Sequence, residues 1–452
     1  MVYSGKWAGN TSDGIFENYT EIIIEAKDGE QKVHTVWMND RRISSPTKKT
    51  IKIENDTFST TMPNWLMSND IALTGTFHGD SLLKLNVQNA GMVGLLEYDM
   101  ELHLVEKTGS EAEEEYKYSP PEDIDGFVNG ADSSSVGIPG TKAETLVSAI
   151  RTEYSGSHES PEIPRIEGIL VIKDGVAILE EYFNGFYKEA KHNTASAMKS
   201  VTSILFGILY DQGLANLDDL ITDIFDYPNN WKSKKATIRD ALAMSAGVEC
   251  GMNEAQLLLR TDNVPRLLLS LNQVNEPGIK YSYDNSLPCL IACYIELKSG
   301  MHFAAFAMRY LFDPLGINVG WTYTRETSVG GGPMVMASGG LHITLRDYSK
   351  LAKMMLDDGV FDGKRILSSE YIALSTSHQS PPGDYPYGFF WHLNPKENGR
   401  MKGLCGYWAL GQGGQFFGIF PKHKTVVAVN SSCWHSGDYE PKILKLLQAY
   451  LF

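Results

Sequence analysis

Residues 196 to 199, Ser-Ala-Met-Lys, place a serine and a lysine three positions apart at the start of an apolar helical pattern. Positions i and i+3 lie on one face of a helix, so the two side chains can meet. A neutral amine can take the proton of a serine hydroxyl, and burial lowers the pKa of a lysine enough to permit this. The helix N-terminus would also favour negative charge near Ser196. The pattern therefore predicts an activated serine nucleophile.

The helical context distinguishes this copy of the motif from two others. The same spacing recurs at Ser45 and Lys48 and at Ser81 and Lys84, but neither pair opens a long apolar helix. Ser81 begins a strand-like run, where positions i and i+3 point to opposite faces. Only Ser196 and its lysine are expected to act together.

Two other stretches supply groups that such a serine needs. Tyr283-Asp284-Asn285 offers a phenol that can relay the proton and an amide that can hold the lysine or the substrate. The run from Gly411 to Gln415, Gly-Gln-Gly-Gly-Gln, lies in a strand pattern, where glycines allow close approach of a ligand to the backbone. A backbone N–H from this run and that of Ser196 would form an oxyanion hole. Structural alternatives remain open: an aromatic cap over the following helix for Tyr283, and a β-bulge for the glycine run.

The elements that would position these motifs differ along the chain. Residues 1–105 contain strand-length runs rich in β-branched and aromatic residues, which predicts a small all-β barrel or sandwich of about eight strands. Residues 106–142 are acidic and rich in Pro, Gly and Ser, as expected of a connector. From residue 143 to 452, helical patterns lie between strands at both ends. This predicts an α/β (α+β) domain, an antiparallel sheet flanked by helices with a helical region inserted.

The charge distribution argues against a nucleic-acid partner. The net charge of the 452 residues is −15, and the first 132 positions hold 23 acidic and 11 basic residues, which leaves −3 for the rest. A nucleic-acid interface would need a basic face. No apolar run approaches the length of about 18 residues that spans a bilayer, and the N-terminus has no signal-peptide pattern.

The five cysteines all lie in the C-terminal half, and their odd number fits reduced thiols in the cytoplasm better than a disulfide framework. Cys289 and Cys293 share a helical face and are expected to pack in the core rather than to bind a metal. The scattered histidines show no metal motif, and His192 is interpreted as a loop residue rather than a catalytic base. We expect no metal and no cofactor.

Taken in this order, SAMK, YDN and a glycine-rich strand near the C-terminus resemble the serine β-lactamase and penicillin-binding-protein superfamily. Longer stretches, among them EGILVIKDGVAILEEYFNG, ATIRDALAMSAGV, PGIKYSYDNS and ASGGLHITLRDYSKLAKMM, are similar to its class C-like branch. That branch includes esterases, D-aminopeptidases and 6-aminohexanoate-dimer hydrolases. The resemblance covers roughly residues 125–452 and implies the β-lactamase/transpeptidase-like fold.

The resemblance also implies roles for individual residues. Ser196 would be the nucleophile and Lys199 its base, while Tyr283 would relay the proton and protonate the leaving group. Asn285 would position the substrate. The strand carrying Gln412, Gly414 and Gln415 would bind it, with the Gln415 N–H in the oxyanion hole.

Two departures from the superfamily pattern bear on the substrate. Gln412 stands where the pattern usually has lysine or histidine, which weakens recognition of a substrate carboxylate. Asp284 replaces the usual serine and adds a negative charge. Both favour an uncharged ester or amide over a β-lactam.

The sequence thus predicts a serine hydrolase that cleaves a small ester, amide or peptide-like substrate through an acyl-enzyme. With an amine or alcohol as acceptor, the same site would be an acyltransferase or cyclase. One alternative is a non-catalytic ligand-binding or scaffold member of the fold. Another is a lipocalin-like binder in residues 1–105, whose Gly5-Lys6-Trp7 resembles the Gly-x-Trp start of such barrels. A homodimer is left open.

Overall fold

The computed structural model shows an all-β part followed by a larger part that mixes helices with antiparallel sheet. The structure describes residues 5–12, 17–27, 30–38, 48–62, 71–90, 96–106, 117–121, 133–153, 166–183, 188–248, 263–327, 333–394, 404–431 and 439–452.

The all-β part is one eight-stranded antiparallel sheet, which confirms the predicted strand content. Strands that are neighbours in the sequence pair with each other, except for β4 and β5. The first strand, β1, pairs with both β2 and β8. In the described ranges β4 and β5 are the two edges, so the hydrogen bonds form an open sheet and no closed barrel. Its strands are β1 (Gly5–Ser12), β2 (Glu17–Lys27), β3 (Glu30–Met38), β4 (Lys48–Ile51), β5 (Thr57–Met62), β6 (Ile71–His78), β7 (Leu82–Ala90) and β8 (Leu96–Glu106).

Alternate side chains of these strands form a separate apolar core. Trp7, the tryptophan of the Gly-Lys-Trp start, is 1% exposed and its ring lies edge-on to that of Phe77, with 5.2 Å between the centroids. The period-two burial, for example at Leu83 and Leu85, is that of a sheet with one covered face.

The larger part is built on a six-stranded antiparallel sheet in the order β10-β9-β21-β20-β19-β18. Strand β9 pairs with β21, so strands from the two ends of this part meet in the middle of the sheet. This confirms the predicted arrangement, with the helical region inserted between them. The strands are β9 (Ile166–Lys173), β10 (Val176–Tyr182), β18 (His392–Asn394), β19 (Gly406–Gly411), β20 (Gln415–Phe420) and β21 (Thr425–Ser431).

Helices cover both faces of this sheet. Helices α1 and α11 share one apolar core with one face, and α2, α6 and α9 belong to the core on the other. The described helices are α1 (Gly140–Glu153), α2 (Met198–Asp211), α3 (Ile221–Ile224), α4 (Ile238–Leu242), α5 (Val264–Ser270), α6 (Ser286–Ser299), α7 (Phe303–Ala307), α8 (Asp313–Leu315), α9 (Leu345–Leu356), α10 (Ser369–Ser375) and α11 (Tyr439–Leu451), with 3₁₀ turns at Ser133–Val136, Ala195–Ala197 and Pro421–His423 and a π turn at Met308–Phe312.

Short strands complete the larger part, and the one before Ser196 corrects an expectation. His192 lies in strand β11, not in a loop, and it is 1% exposed. The strand pairs with β15, which in turn pairs with β12. The short strands are β11 (Lys191–Asn193), β12 (Gly320–Trp321), β13 (Tyr323–Thr327), β14 (Pro333–Val335), β15 (Leu341–Thr344), β16 (Val360–Phe361) and β17 (Lys364–Arg365).

Part of the segment interpreted as a connector is attached to the larger part. The Tyr118 hydroxyl donates to the carbonyl of Ile178 (2.8 Å), and its backbone N–H donates to a Glu144 carboxylate oxygen (3.1 Å). Residues 107–116 and 122–132 of that segment lie outside the described ranges.

Cys289 and Cys293 are both buried on α6, as predicted. Cys250 and Cys433 lie outside the described residues. Of the helices that the structure describes, none has the length and apolar character needed to cross a membrane.

Candidate active site

Ser196 and Lys199 meet at the N-terminal end of α2. Ser196 lies in the 3₁₀ turn that leads into this helix, and the Lys199 Nζ is 2.9 Å from the Ser196 Oγ. Nζ also donates to the carbonyl oxygen of Ser338 at 2.8 Å. Lys199 is 1% exposed, whereas Ser196 is only half-buried. A substrate can therefore reach the hydroxyl, while burial disfavours the charged form of the amine.

Tyr283 completes the group around the amine. Its ring lies over Lys199, with 4.8 Å between Nζ and the ring centroid, and the side chain is 39% exposed. The chain is held here by Met244, whose carbonyl accepts the Ser282 N–H (2.7 Å) and whose sulfur accepts the Asp284 N–H (3.4 Å). Met244 has a φ of +56°, a conformation that L-residues seldom adopt.

The two residues after Tyr283, Asp284 and Asn285, differ in their contacts with the start of α6. Asp284 is 1% exposed, and its carboxylate accepts the Ser286 N–H (2.7 Å) and the Ser286 hydroxyl (2.5 Å). Its negative charge is therefore buried at a helix N-terminus, where the helix dipole stabilises it. Asn285 is half-buried, and within the described part of the chain its amide makes no capping hydrogen bond. Asn285, whose amide is predicted to position the substrate, thus directly follows Asp284, whose carboxylate stabilises the start of the helix.

The glycine run lies beside the Ser196 turn, between β19 and β20. A Cβ on Gly411 would be 2.2 Å from the carbonyl oxygen of Thr194, so only glycine lets β19 approach the turn this closely. Gly413 and Gly414 have φ values of +87° and +92°, which favour glycine, and Gln412 is exposed at this corner. Gln415 pairs with Gly411 across the hairpin.

The Gln415 side chain has a structural partner. Its Nε2 donates to the carbonyl of Ser431, and its Oε1 accepts the Ser431 N–H at 3.4 Å. The side chain is 0% exposed. Only the backbone of Gln415 is therefore suited to the role that the sequence analysis gave it.

Burial raises the pKa of two protonated neighbours of this group. Cys289, beside Ser338 and Lys199, has a thiol pKa raised by burial, although hydrogen bonds from Ser338 act in the opposite direction. The Tyr387 pKa lies well above its ordinary value, first because of burial and then because of the nearby Tyr281 and Tyr283. Both side chains are neutral at pH 7, so neither competes with Ser196 as a nucleophile.

Sequence reasoning missed several residues that hold the site in place. Ser338 lies 139 positions after Lys199, and no local pattern marked its carbonyl as a partner for the amine. Phe390, 190 positions after Ser200, has a φ of +59°, and its carbonyl accepts the Ser200 hydroxyl (2.6 Å). Asn193, which bonds to the turn before Ser196, was also missed.

Comparison with known proteins identifies the family of the chain. The Beta-lactamase family model matches residues 164–451, well over half of the chain. The chain therefore belongs to that family, and it is a serine hydrolase of the β-lactamase superfamily. Residues 1–163 lie outside the match.

The individual relatives have low sequence identity to this chain, but each aligns with about two thirds of it. The chain is 23% identical over 330 residues to a 6-aminohexanoate-dimer hydrolase from Paenarthrobacter ureafaciens, covering 66% of this chain and 81% of that protein. A penicillin-binding-protein homologue from Caulobacter crescentus superposes with a TM-score of 0.56 at 14% identity, over 70% of this chain and 98% of that one. EstCE1, described as a hydrolase with promiscuous acyltransferase activity, gives 0.52 at 15% identity, over 70% and 98%. These superpositions confirm the predicted β-lactamase/transpeptidase-like fold.

Replacing Gly411 with alanine should impair the site more than the fold. The new Cβ would push β19 away from Thr194 and from the turn that carries Ser196. We expect kcat to fall by about 100-fold, as displacements of about 1 Å do in active sites. The measurement is steady-state hydrolysis of an activated ester together with the melting temperature.

Gly418→Ala is the matched control for this change. A Cβ there would meet the rings of Phe416 and Phe420 on β20, with no crowding of the Ser196 turn. It should lower the melting temperature but leave kcat within about threefold. Equal kcat values for the two variants would contradict the role given to Gly411.

Proposed function

We propose that the protein cleaves an ester or amide bond through an acyl-enzyme on Ser196. The observation that carries this proposal is the buried Lys199 amine, 2.9 Å from the Ser196 hydroxyl and fixed by the Ser338 carbonyl. A neutral amine in this position accepts the serine proton as the oxygen attacks the substrate carbonyl.

The remaining steps use the groups around the amine. The backbone N–H groups of Ser196 and Gln415 stabilise the oxyanion of the tetrahedral intermediate. Tyr283, whose ring lies over Lys199, passes the proton to the leaving group. Asn285 orients the substrate. Water then attacks the acyl-enzyme with the same groups in reverse order; an amine or alcohol as acceptor would make the reaction an acyl transfer.

The substrate that fits this site best is uncharged near the scissile bond. Gln412 presents a neutral amide at the corner of the glycine run, and the carboxylate of Asp284 is buried in hydrogen bonds to Ser286. A non-catalytic, ligand-binding member of the fold is the alternative, and the close contact of Lys199 with Ser196 argues against it.

Ser196→Ala should abolish turnover of activated esters and labelling by a serine-directed phosphonate, because the nucleophilic oxygen is lost.

Lys199→Met should lower kcat by about 100- to 10,000-fold, the usual contribution of a general base. Lys350→Met is the matched control, since that lysine is also buried but bonds to Asp347 and the Gly316 carbonyl instead. Persistent labelling of Ser196→Ala would refute the proposal.

Gln412→Lys should shift the specificity toward anionic substrates. An added cation at this corner attracts a substrate carboxylate, so kcat/KM for nitrocefin should rise about tenfold relative to a neutral p-nitrophenyl ester. Gln212→Lys makes the same charge change at the far end of α2. It should leave kcat/KM unchanged for both nitrocefin and the p-nitrophenyl ester. An unchanged ratio in Gln412→Lys would show that this corner does not select the substrate.

We also propose that residues 1–105 form a separate unit from the hydrolase domain at 143–452. Their buried side chains form a core of their own, with members between Trp7 and Leu102, and the other two cores lie between Ile138 and Leu451. A chain that begins at residue 117 retains the Tyr118 contacts and should keep its kcat/KM for an activated ester within about twofold. Loss of activity in a folded, shortened chain would give the β-sheet a part in the site.

A further inference from the structure

The turn that leads to Ser196 is held in an unfavourable backbone conformation. Ala195 has a φ of +49° and is 0% exposed. This region is reached at low energy by glycine, whereas an alanine there persists only when its surroundings impose it. Since Ala195 immediately precedes Ser196, this conformation determines the direction of the Ser196 peptide and side chain.

Asn193 is the side chain that imposes this conformation. Its Oδ1 accepts the Ala195 N–H at 2.7 Å, and the side chain is 6% exposed. The residue between them is fixed as well, because the N–H and hydroxyl of Thr194 both donate to the Leu341 carbonyl (2.9 and 3.1 Å). The turn is therefore tied to β15 at one residue and to the Asn193 amide at the next.

The Asn193 amide is oriented by a buried histidine on the neighbouring strand β15. Its Nδ2 lies 3.5 Å from the Nε2 of His342, which is the register partner of Asn193 on β15, and that Nε2 lies 2.8 Å from the hydroxyl of Thr322. An amide nitrogen can only donate, so this contact is a hydrogen bond when the Nε2 of His342 is unprotonated. With Nδ2 directed at the ring, Oδ1 is left facing Ala195.

The backbone of Asn193 is anchored by a second buried contact. Its carbonyl oxygen lies 3.0 Å from the Nδ1 of His192, and the Nε2 of this ring lies 2.9 Å from a Glu167 carboxylate oxygen. His192 and Glu167 are each 1% exposed, and they connect β11 to β9 of the main sheet.

We propose that Asn193 is a positioning residue for the acylation step. Through the Ala195 N–H it fixes the turn, and through the turn it directs the Ser196 hydroxyl toward Lys199 and the Ser196 N–H toward the oxyanion. This inference rests on the proposed function. The side chain is buried between Ala195 and His342, so its removal should slow acylation and leave substrate binding unchanged.

The test compares Asn193→Ala with Asn394→Ala in the full chain. Asn394 is also a buried asparagine, 3% exposed, and its Nδ2 donates to the Leu404 carbonyl at 2.5 Å on the edge strand β18. With a p-nitrophenyl ester, Asn193→Ala should lose about 10- to 100-fold in kcat and in phosphonylation rate, with KM within about twofold. Asn394→Ala should lower the melting temperature by about as much as Asn193→Ala does, but it should leave kcat and the phosphonylation rate unchanged.

Two further variants separate positioning from general destabilisation. Asn193→Asp retains an oxygen acceptor for the Ala195 N–H but loses the donor to His342, so it should recover part of the lost rate. Ala195→Gly in the Asn193→Ala background should recover several-fold in kcat, because glycine adopts a positive φ without penalty.

The outcomes distinguish this inference from the proposal beneath it. If the wild type is phosphonylated at Ser196 and Asn193→Ala is phosphonylated equally fast, or loses rate only as Asn394→Ala does, the positioning role is overturned. If phosphonate does not label Ser196 in the wild type, the proposed function fails, and this inference fails with it.

Discussion

The contact between the Lys199 amine and the Ser196 hydroxyl is the interaction on which the rest of the site depends. For the amine to accept a proton it must be neutral, close to the oxygen and fixed in direction. Burial favours the neutral form, and the Ser338 carbonyl fixes the direction. The 3₁₀ turn of Ser196 continues directly into α2 and brings the two groups close, because residues three apart share a face. Removal of any one of these conditions would leave Ser196 without an effective base.

The fold meets these conditions by holding the backbone around the amine in uncommon conformations. Ala195, Met244 and Phe390 all have positive φ values although none is a glycine. Each one contacts the site through its neighbours: Ala195 precedes Ser196, the Met244 carbonyl and sulfur hold the segment of Tyr283, and the Phe390 carbonyl accepts the hydroxyl of Ser200. Such strain persists only where the surrounding structure imposes it. At Ala195 the Asn193 side chain on β11 imposes it by accepting the Ala195 N–H, and Gly411 on the main sheet leaves room for the turn.

The local part of this site was predictable from the sequence, and the part made by distant residues was not. Ser196 and Lys199 are found together because their spacing is a property of one helix, and the strands of both sheets follow from periodicity. The Ser338 carbonyl and the His342 ring come from residues more than 130 positions away, where no local pattern indicates a partner. The interpretation of His192 as a loop residue was wrong, because strand pairing with β15 and a buried contact with Glu167 place it in the core.

The most direct test of the account is peptide mapping by mass spectrometry of the protein quenched during turnover of an activated ester. The account predicts an acyl group on the peptide that contains Ser196, formed in the wild type and at least about 100-fold more slowly in Lys199→Met. An acyl group on another residue would contradict the account. Rapid turnover with no covalent adduct in protein quenched at saturating substrate would contradict it as well.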